Sequence, residues 1–215
     1  MVQIATQTRR ARGRPQIRPD SETHRLVIEA AREEFRVSGY ATTSMAAVAQ
    51  RAGVSTKTMY RLIPTKADLF KGVIADRLER FLLAIDAAAL DRLPLDQALE
   101  RILIAFGQLA LSEDTIWVHH IVLGEARRFP ELAATFAEAV RRVGDAIAAW
   151  LRRQCQRGLI ALEDPHDAAG ILRGMMIMEP QHAIMLGQRA VPGAAEIAER
   201  ARACAQLFLE GCRHR

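Results

Sequence analysis

Apolar residues recur at intervals of three and four along most of this chain, and the pattern breaks where a proline, a glycine or a short hydroxyl side chain stands. Val27, Ala30, Ala31 and Phe35 share one helical face, which Asp20 or Ser21 can cap at its start and Gly39 can end. Thr43 can cap a second, short helix through Ala52, with Met45, Val48 and Ala49 inward and Gly53 terminating it. Ser55 then caps a third short helix that Pro64 closes. A long helix is predicted from about Lys66 to Leu90, and further ones at roughly 95–111, 114–128, 131–158, 165–186 and 193–212. Pro94, Pro130, Pro165 and Pro192 stand near the starts of later segments, where a missing N–H costs nothing. No stretch combines strict alternation with β-branched residues, so the expected fold is all-α with about nine helices.

Composition sharpens this picture more than it changes it. The 215 residues are 50% hydrophobic and 26% charged, enough to bury a substantial core. No apolar run approaches the ~20 residues of a membrane helix, and the basic N-terminus is not followed by the apolar stretch of a secretion signal. Cys155, Cys204 and Cys212 are odd in number and lack CxxC spacing, so neither a disulfide framework nor a zinc site is expected. These features point to a cytoplasmic protein with no membrane association. The net charge of +5 is unevenly spread: residues 1–66 carry 12 Lys+Arg against 5 Asp+Glu, and residues 67–215 carry 18 against 20. A basic first third attached to a near-neutral remainder reads as a polyanion-binding head on a body with another task. The chain accordingly divides into a flexible basic arm (1–19), a helix-turn-helix head (20–66) and a helical body (67–215).

The head carries the sharpest motif. Two short helices joined by Ala52-Gly53-Val54-Ser55 form a helix-turn-helix in which Gly53 takes the left-handed backbone, Val54 plugs the angle and Ser55 caps the second helix. The third helix presents Thr56, Lys57, Thr58 and Tyr60 near its start, where a recognition helix meets base edges. With its spacing of Phe35-x3-Gly39-Tyr40, Thr43-Ser44, Val48-Ala49, Ala52-Gly53-Val54-Ser55, Tyr60-Arg61 and Pro64-Thr65-Lys66-x2-Leu69-Phe70, the chain resembles the TetR family of transcriptional regulators across roughly residues 20–70. Leu62-Ile63 and Ala46-Ala47 depart from the residues usual there.

That resemblance implies a homodimer whose heads bind a palindromic operator in double-stranded DNA and whose bodies bind a small-molecule effector. It implies phosphate contacts for Thr43, Ser44, Tyr60 and Lys66, and major-groove positions for Thr56, Lys57 and Thr58 next to the capping Ser55. Lys57 can donate to guanine or to phosphate, and both readings stay open. In the arm, Arg12-Gly13-Arg14-Pro15 resembles the core of minor-groove AT-hook segments; the alternative is a basic tail that raises nonspecific affinity.

In the body, Phe106, Trp117, His120, Phe136, Met175, Met178, Glu179 and His182 are the candidate ligand contacts, since methionines and aromatics suit an adaptable apolar site. His119, Trp150, Met176 and Met185 belong to the same stretch. Pro180 inside a helix frees the carbonyl of Met176, and Glu179 beside it either recognises an effector or is solvated or paired with Arg173. Ile197, Ala201, Cys204, Leu207, Phe208 and Gly211 form one stripe of the last helix, an expected dimer surface unless it packs within the subunit. The cysteines read as buried structural thiols, with oxidant sensing the alternative.

No P-loop, Ser-His-Asp order or nucleotide fingerprint is present, and no catalytic residue, metal or cofactor is expected. Glu163-x-x-His166 and Glu179-x-x-His182 match the ligand pattern of a di-iron helical bundle, but two further carboxylates and separate helices would be needed. A nucleoid protein binding DNA without an effector is the second alternative. The sequence favours a DNA-binding regulator, a repressor released by an apolar or amphipathic ligand.

Overall fold

Residues 19–212, described by a computed structural model, form ten helices with no strand among them: α1 (Asp20–Thr42), α2 (Met45–Arg51), α3 (Thr56–Leu62), α4 (Lys66–Ala84), α5 (Ala87–Leu90), α6 (Leu95–Ala110), α7 (Glu113–Glu125), α8 (Pro130–Gln156), α9 (Pro165–Met185) and α10 (Ala194–Cys212). Nine of these span seven residues or more, and α5 is a four-residue turn. Short side chains set many starts by accepting from the backbone: Ser44 from Ala47, Ser55 from Thr58, Thr65 from Asp68, Ser112 from Thr115 and Asp164 from His166. Pro130 and Pro165 open α8 and α9 at the first helical position.

Three details differ from the sequence expectation. The helix predicted over 66–90 stops at Ala84, because Asp86 caps the separate turn of α5 by accepting from the Ala89 N–H at 3.0 Å. The cap of α2 is Ser44 and not Thr43. Thr43 is 4% exposed, and its hydroxyl donates to the carbonyl of Gly39 at 2.7 Å, across the left-handed break that Gly39 (φ 77°) makes near the end of α1. The stripe on α10 packs within the subunit: Ile197, Ala201, Cys204 and Phe208 lie in the body core, leaving Leu207 63% exposed and Gly211 on the surface.

The apolar interior divides in two. One core holds Phe35, Tyr40, Met59, Leu69, Phe70 and Val73 of α1 to α4 together with Val118, Ile121 and Val122 of α7 and Leu132 of α8. The other holds Leu78 and Phe81 of α4, much of α6, Trp150 and Leu151 of α8, Leu172 of α9 and Phe208 of α10. The two ends of α4 therefore enter different cores.

Pro180 lies within α9 and is buried. Arg200 of α10 supplies what the proline removes: its Nε donates to the Met176 carbonyl at 2.7 Å and an Nη to the Met175 carbonyl at 2.9 Å. The same guanidinium lies 3.4 Å from Glu179, so the carboxylate's partner is Arg200 and not Arg173, which donates to the Val140 carbonyl.

Candidate nucleic-acid interface and ligand cavity

The α2–α3 corner turns at Gly53 (φ 66°), where an L side chain would be strained, and Val54 N–H closes the turn by donating to the Ala49 carbonyl at 3.0 Å. Met59, Val48 and Ala49 anchor the corner to the core beneath. This leaves Ser44, Ser55, Thr56, Lys57 and Tyr60 exposed on the outer surface of the head, with Tyr60 53% accessible. Thr58 is half-buried and its hydroxyl lies 2.9 Å from that of Ser55. Arg61, by contrast, is held in a two-pronged pair with Asp20, both contacts 2.7 Å, and Arg51 is held by Glu34. Lys57 forms no ion pair among the described residues, so it is the cation at the start of α3 available to a polyanion. Arg12 and Arg14 lie outside the described residues.

Two expected phosphate ligands have other work. Thr43 is buried, as above. Lys66 directs its ammonium to three backbone carbonyls, those of Tyr40 at 2.8 Å and of Ala41 and Thr43 at 3.1 Å, and sits 4.6 Å from the centre of the Tyr40 ring. Three N–H groups meet three acceptors, leaving none for phosphate in this arrangement. Burial pushes the Lys66 ammonium below its ordinary range, and burial pushes the Tyr40 hydroxyl up to about 12. Lys66→Met should therefore cost about 2 kcal/mol in denaturant unfolding, as several carbonyls lose a charged donor. Its DNA-binding isotherms should keep the wild-type salt slope; a slope lower by about one would restore a phosphate contact.

Glu125, at the end of α7, completes the joint by accepting from the Tyr40 and Ala41 N–H groups at 3.2 and 3.0 Å. At the other end of α7, Asp114 accepts from Arg32 of α1 at 2.7 Å and from Arg77 of α4, whose second Nη donates to Ser112 at 2.7 Å. The helix is thus fastened to α1 at both ends.

Between those fastenings α7 forms one wall of a partly open cavity of about 300 Å³, bounded also by α4, α6, α8 and α9. Phe106, Val118, Phe136, Val143, Ile177 and Met178 give it an apolar lining. Polar groups enter at Arg77, Thr115, His119, Arg173 and Gln181. Burial pushes His119 below the usual imidazole range, and its ring meets Phe136 edge to face at 4.5 Å. His119 Nδ1 lies 2.8 Å from the Thr115 carbonyl, so the neutral ring carries its proton there and offers Nε2 as an acceptor.

Of the expected ligand contacts, Phe106, Phe136 and Met178 line this cavity, whereas Trp117, His120, Met175, Glu179 and His182 do not. His120 is exposed, within hydrogen-bonding distance of the Met185 carbonyl, and its neighbour His119 takes the inward position because one residue turns about 100° on a helix. Arg77, Arg173 and Gln181 gave no local signal, being single polar residues in amphipathic helices. Burial pushes the Cys204 and Cys212 thiols up, which disfavours reactive thiolates. Both Glu-x-x-His motifs fall at the single helix α9 or just before it, and no group of three or more potential metal ligands assembles among the described residues.

A model of the tetR family of bacterial regulatory proteins matches residues 27–73, and a model of the C-terminal domain of AefR-like transcriptional repressors matches residues 97–211. No curated protein matches the chain. Among solved structures, a putative TetR-family transcriptional regulator from Mesorhizobium loti MAFF303099 is similar at 25% identity and a TM-score of 0.78, covering 93% of this chain and 100% of its own. The flavonoid-responsive regulator FrrA is 27% identical with a TM-score of 0.71, over 91% of this chain and 99% of its own. FadR from Bacillus subtilis, solved with stearoyl-CoA, shares the fold at 17% identity and a TM-score of 0.69, over 87% of this chain and 98% of its own.

Proposed function

Because the chain belongs to the TetR family of DNA-binding transcriptional regulators, we propose that it represses transcription from a palindromic operator and releases it when an apolar or amphipathic molecule fills the cavity. Members of the family bind DNA and small-molecule effectors as dimers and are generally not enzymes. For this chain, we place Ser44, Ser55, Thr56, Lys57, Thr58 and Tyr60 at the operator, with Lys57 reading a base and the Arg12–Arg14 segment adding minor-groove or phosphate affinity.

The observation that carries this reading is the position of α7, which lines the cavity along its middle and is fastened to the head at both ends. A ligand that pushes the Thr115, Val118 and His119 wall shifts Asp114 and Glu125 against α1. It thereby favours a conformation in which the two heads no longer match successive major grooves. The name of the 27% identical relative refers to flavonoids, and an aromatic effector of that kind suits the Phe106 and Phe136 lining here.

The test begins with duplexes selected by the full-length protein from a random pool. Lys57→Ala should cost about 1–3 kcal/mol on the selected site and less on a site changed at the contacted base pair. Equal losses on selected, altered and random duplexes would make Lys57 a phosphate contact. Selection that yields no preferred sequence would favour a nucleoid role.

A further inference from the structure

Taking the cavity as the effector site, we infer that the effector is an amphipathic anion whose negative head group docks on Arg173. The apolar walls set the expectation for its body, but the polar groups in those walls are strongly biased. Two guanidiniums and one imidazole reach the lining, and no carboxylate does.

The two guanidiniums are not equivalent. Arg77 is already engaged, since Asp114, which it shares with Arg32, accepts from it and Ser112 takes its second Nη. Arg173 has no such partner. Among the described residues it pairs with no carboxylate, and its single hydrogen bond runs to the Val140 carbonyl at 3.1 Å. Its Nε, like that of Arg77, is shut off from solvent with nothing to donate to, so the difference lies in the missing carboxylate; Gly170 and Gly174, its neighbours along α9, add no side chain that could fill the space beside it.

Arg173 is half-buried beside the apolar lining and has no carboxylate partner among the described residues, so its charge is less well compensated than on the open surface. A carboxylate or phenolate entering the cavity supplies the counter-charge and can take two parallel N–H bonds from the guanidinium fork. A neutral ligand of the same shape cannot complete that pairing, and an ammonium head would meet a like charge. His119, whose Nδ1 faces the Thr115 carbonyl, offers Nε2 as an acceptor for a hydroxyl elsewhere on the body and takes no part in holding the anionic head.

The experiment uses three probes with one apolar body: 2-naphthylacetate, 2-(2-naphthyl)ethanol and 2-(2-naphthyl)ethylammonium. Each is titrated calorimetrically into the full-length protein, and the complex is then tested for release of a selected duplex. The wild type should bind the carboxylate at least about tenfold more tightly than the alcohol, with the ammonium weakest, since a charged hydrogen bond contributes that much. In Arg173→Met the carboxylate should fall to the level of the alcohol, whose own affinity stays near wild type. Arg173→Lys should keep part of the preference, and it supplies the comparison if the Met variant does not fold.

Equal binding of alcohol and carboxylate to the wild type, or a carboxylate preference that survives in Arg173→Met, overturns the head-group assignment while leaving the cavity as the binding site. Binding of none of the three overturns the assignment of the cavity as well.

Discussion

Phe208→Glu is expected to unfold the subunit and not to divide a dimer. The ring is 8% exposed and belongs to the body core with Leu99, Ile102, Ala201 and Leu209. Losing a buried phenyl group costs about 3–5 kcal/mol, and a carboxylate in its place adds a desolvation penalty. The sum is comparable with the whole stability of a domain this size, typically about 5–15 kcal/mol. Leu207, its neighbour, is 63% exposed, so Leu207→Glu should alter stability by less than about 0.5 kcal/mol. If the outer face of α10 closes the dimer, Leu207→Glu yields folded monomer. Urea unfolding and sedimentation on both variants separate these effects. A folded, monomeric Phe208→Glu would return the ring to the interface, and a dimeric Leu207→Glu would move the contact off that part of α10.

The second large effect should come from Asp114→Ala. Asp114 and Arg77 have side chains 22% exposed and Arg32 37%, so the trio is neither fully buried nor freely solvated. Removing the shared carboxylate leaves two guanidiniums facing each other, at a cost of about 3 kcal/mol, the lower end for a broken buried pair. Stability is the smaller part of the prediction. The variant should still bind ligand in the cavity, because Asp114 is not in its lining. Ligand should, however, no longer weaken operator binding to the full extent, since one fastening between α7 and α1 is gone. A coupling of about 1–3 kcal/mol is usual between two such sites, and most of it should disappear. The measurement is operator affinity with and without saturating ligand, for wild type, Asp114→Ala, Arg32→Ala and the double variant. An undiminished ligand effect in Asp114→Ala would remove this ion cluster from the transmission route.

Local signals in the sequence specify much of this fold. Pro130, Pro165, Ser55 and Ser112 act locally, each through its own backbone or the next turn, so the helix starts they specify are legible in sequence. The turn at Gly53 and the exposure of Thr56 and Lys57 follow from similarly short-range rules. What escaped depends on groups far apart in the chain. Thr43 and Ser44 are both competent caps, and the choice between them is made by the carbonyl of Gly39 waiting for the Thr43 hydroxyl. Lys66 looked like a surface cation until the end of α1 arrived with three acceptors. For Glu179 the sequence offers Arg173, six residues away on the same helix, as one of several environments, whereas the partner it meets, Arg200, lies on another helix. The cavity's polar groups are the extreme case: Arg77, Thr115, Arg173 and Gln181 come from three helices and share nothing until these pack.

The placement of α4 has a consequence for how the molecule comes apart. Leu69, Phe70 and Val73 are buried with the head, and Leu78 and Phe81 with the body, on one uninterrupted helix. Melting either core frays a helix that the other requires, so the two should lose structure in a single cooperative transition, with calorimetric and van't Hoff enthalpies in agreement. For the same reason residues 20–66 should not survive as an excised folding unit. Cut there, Tyr40 and Phe35 lose Phe70, their edge-to-face neighbour, and the recognition helix loses the floor it stands on.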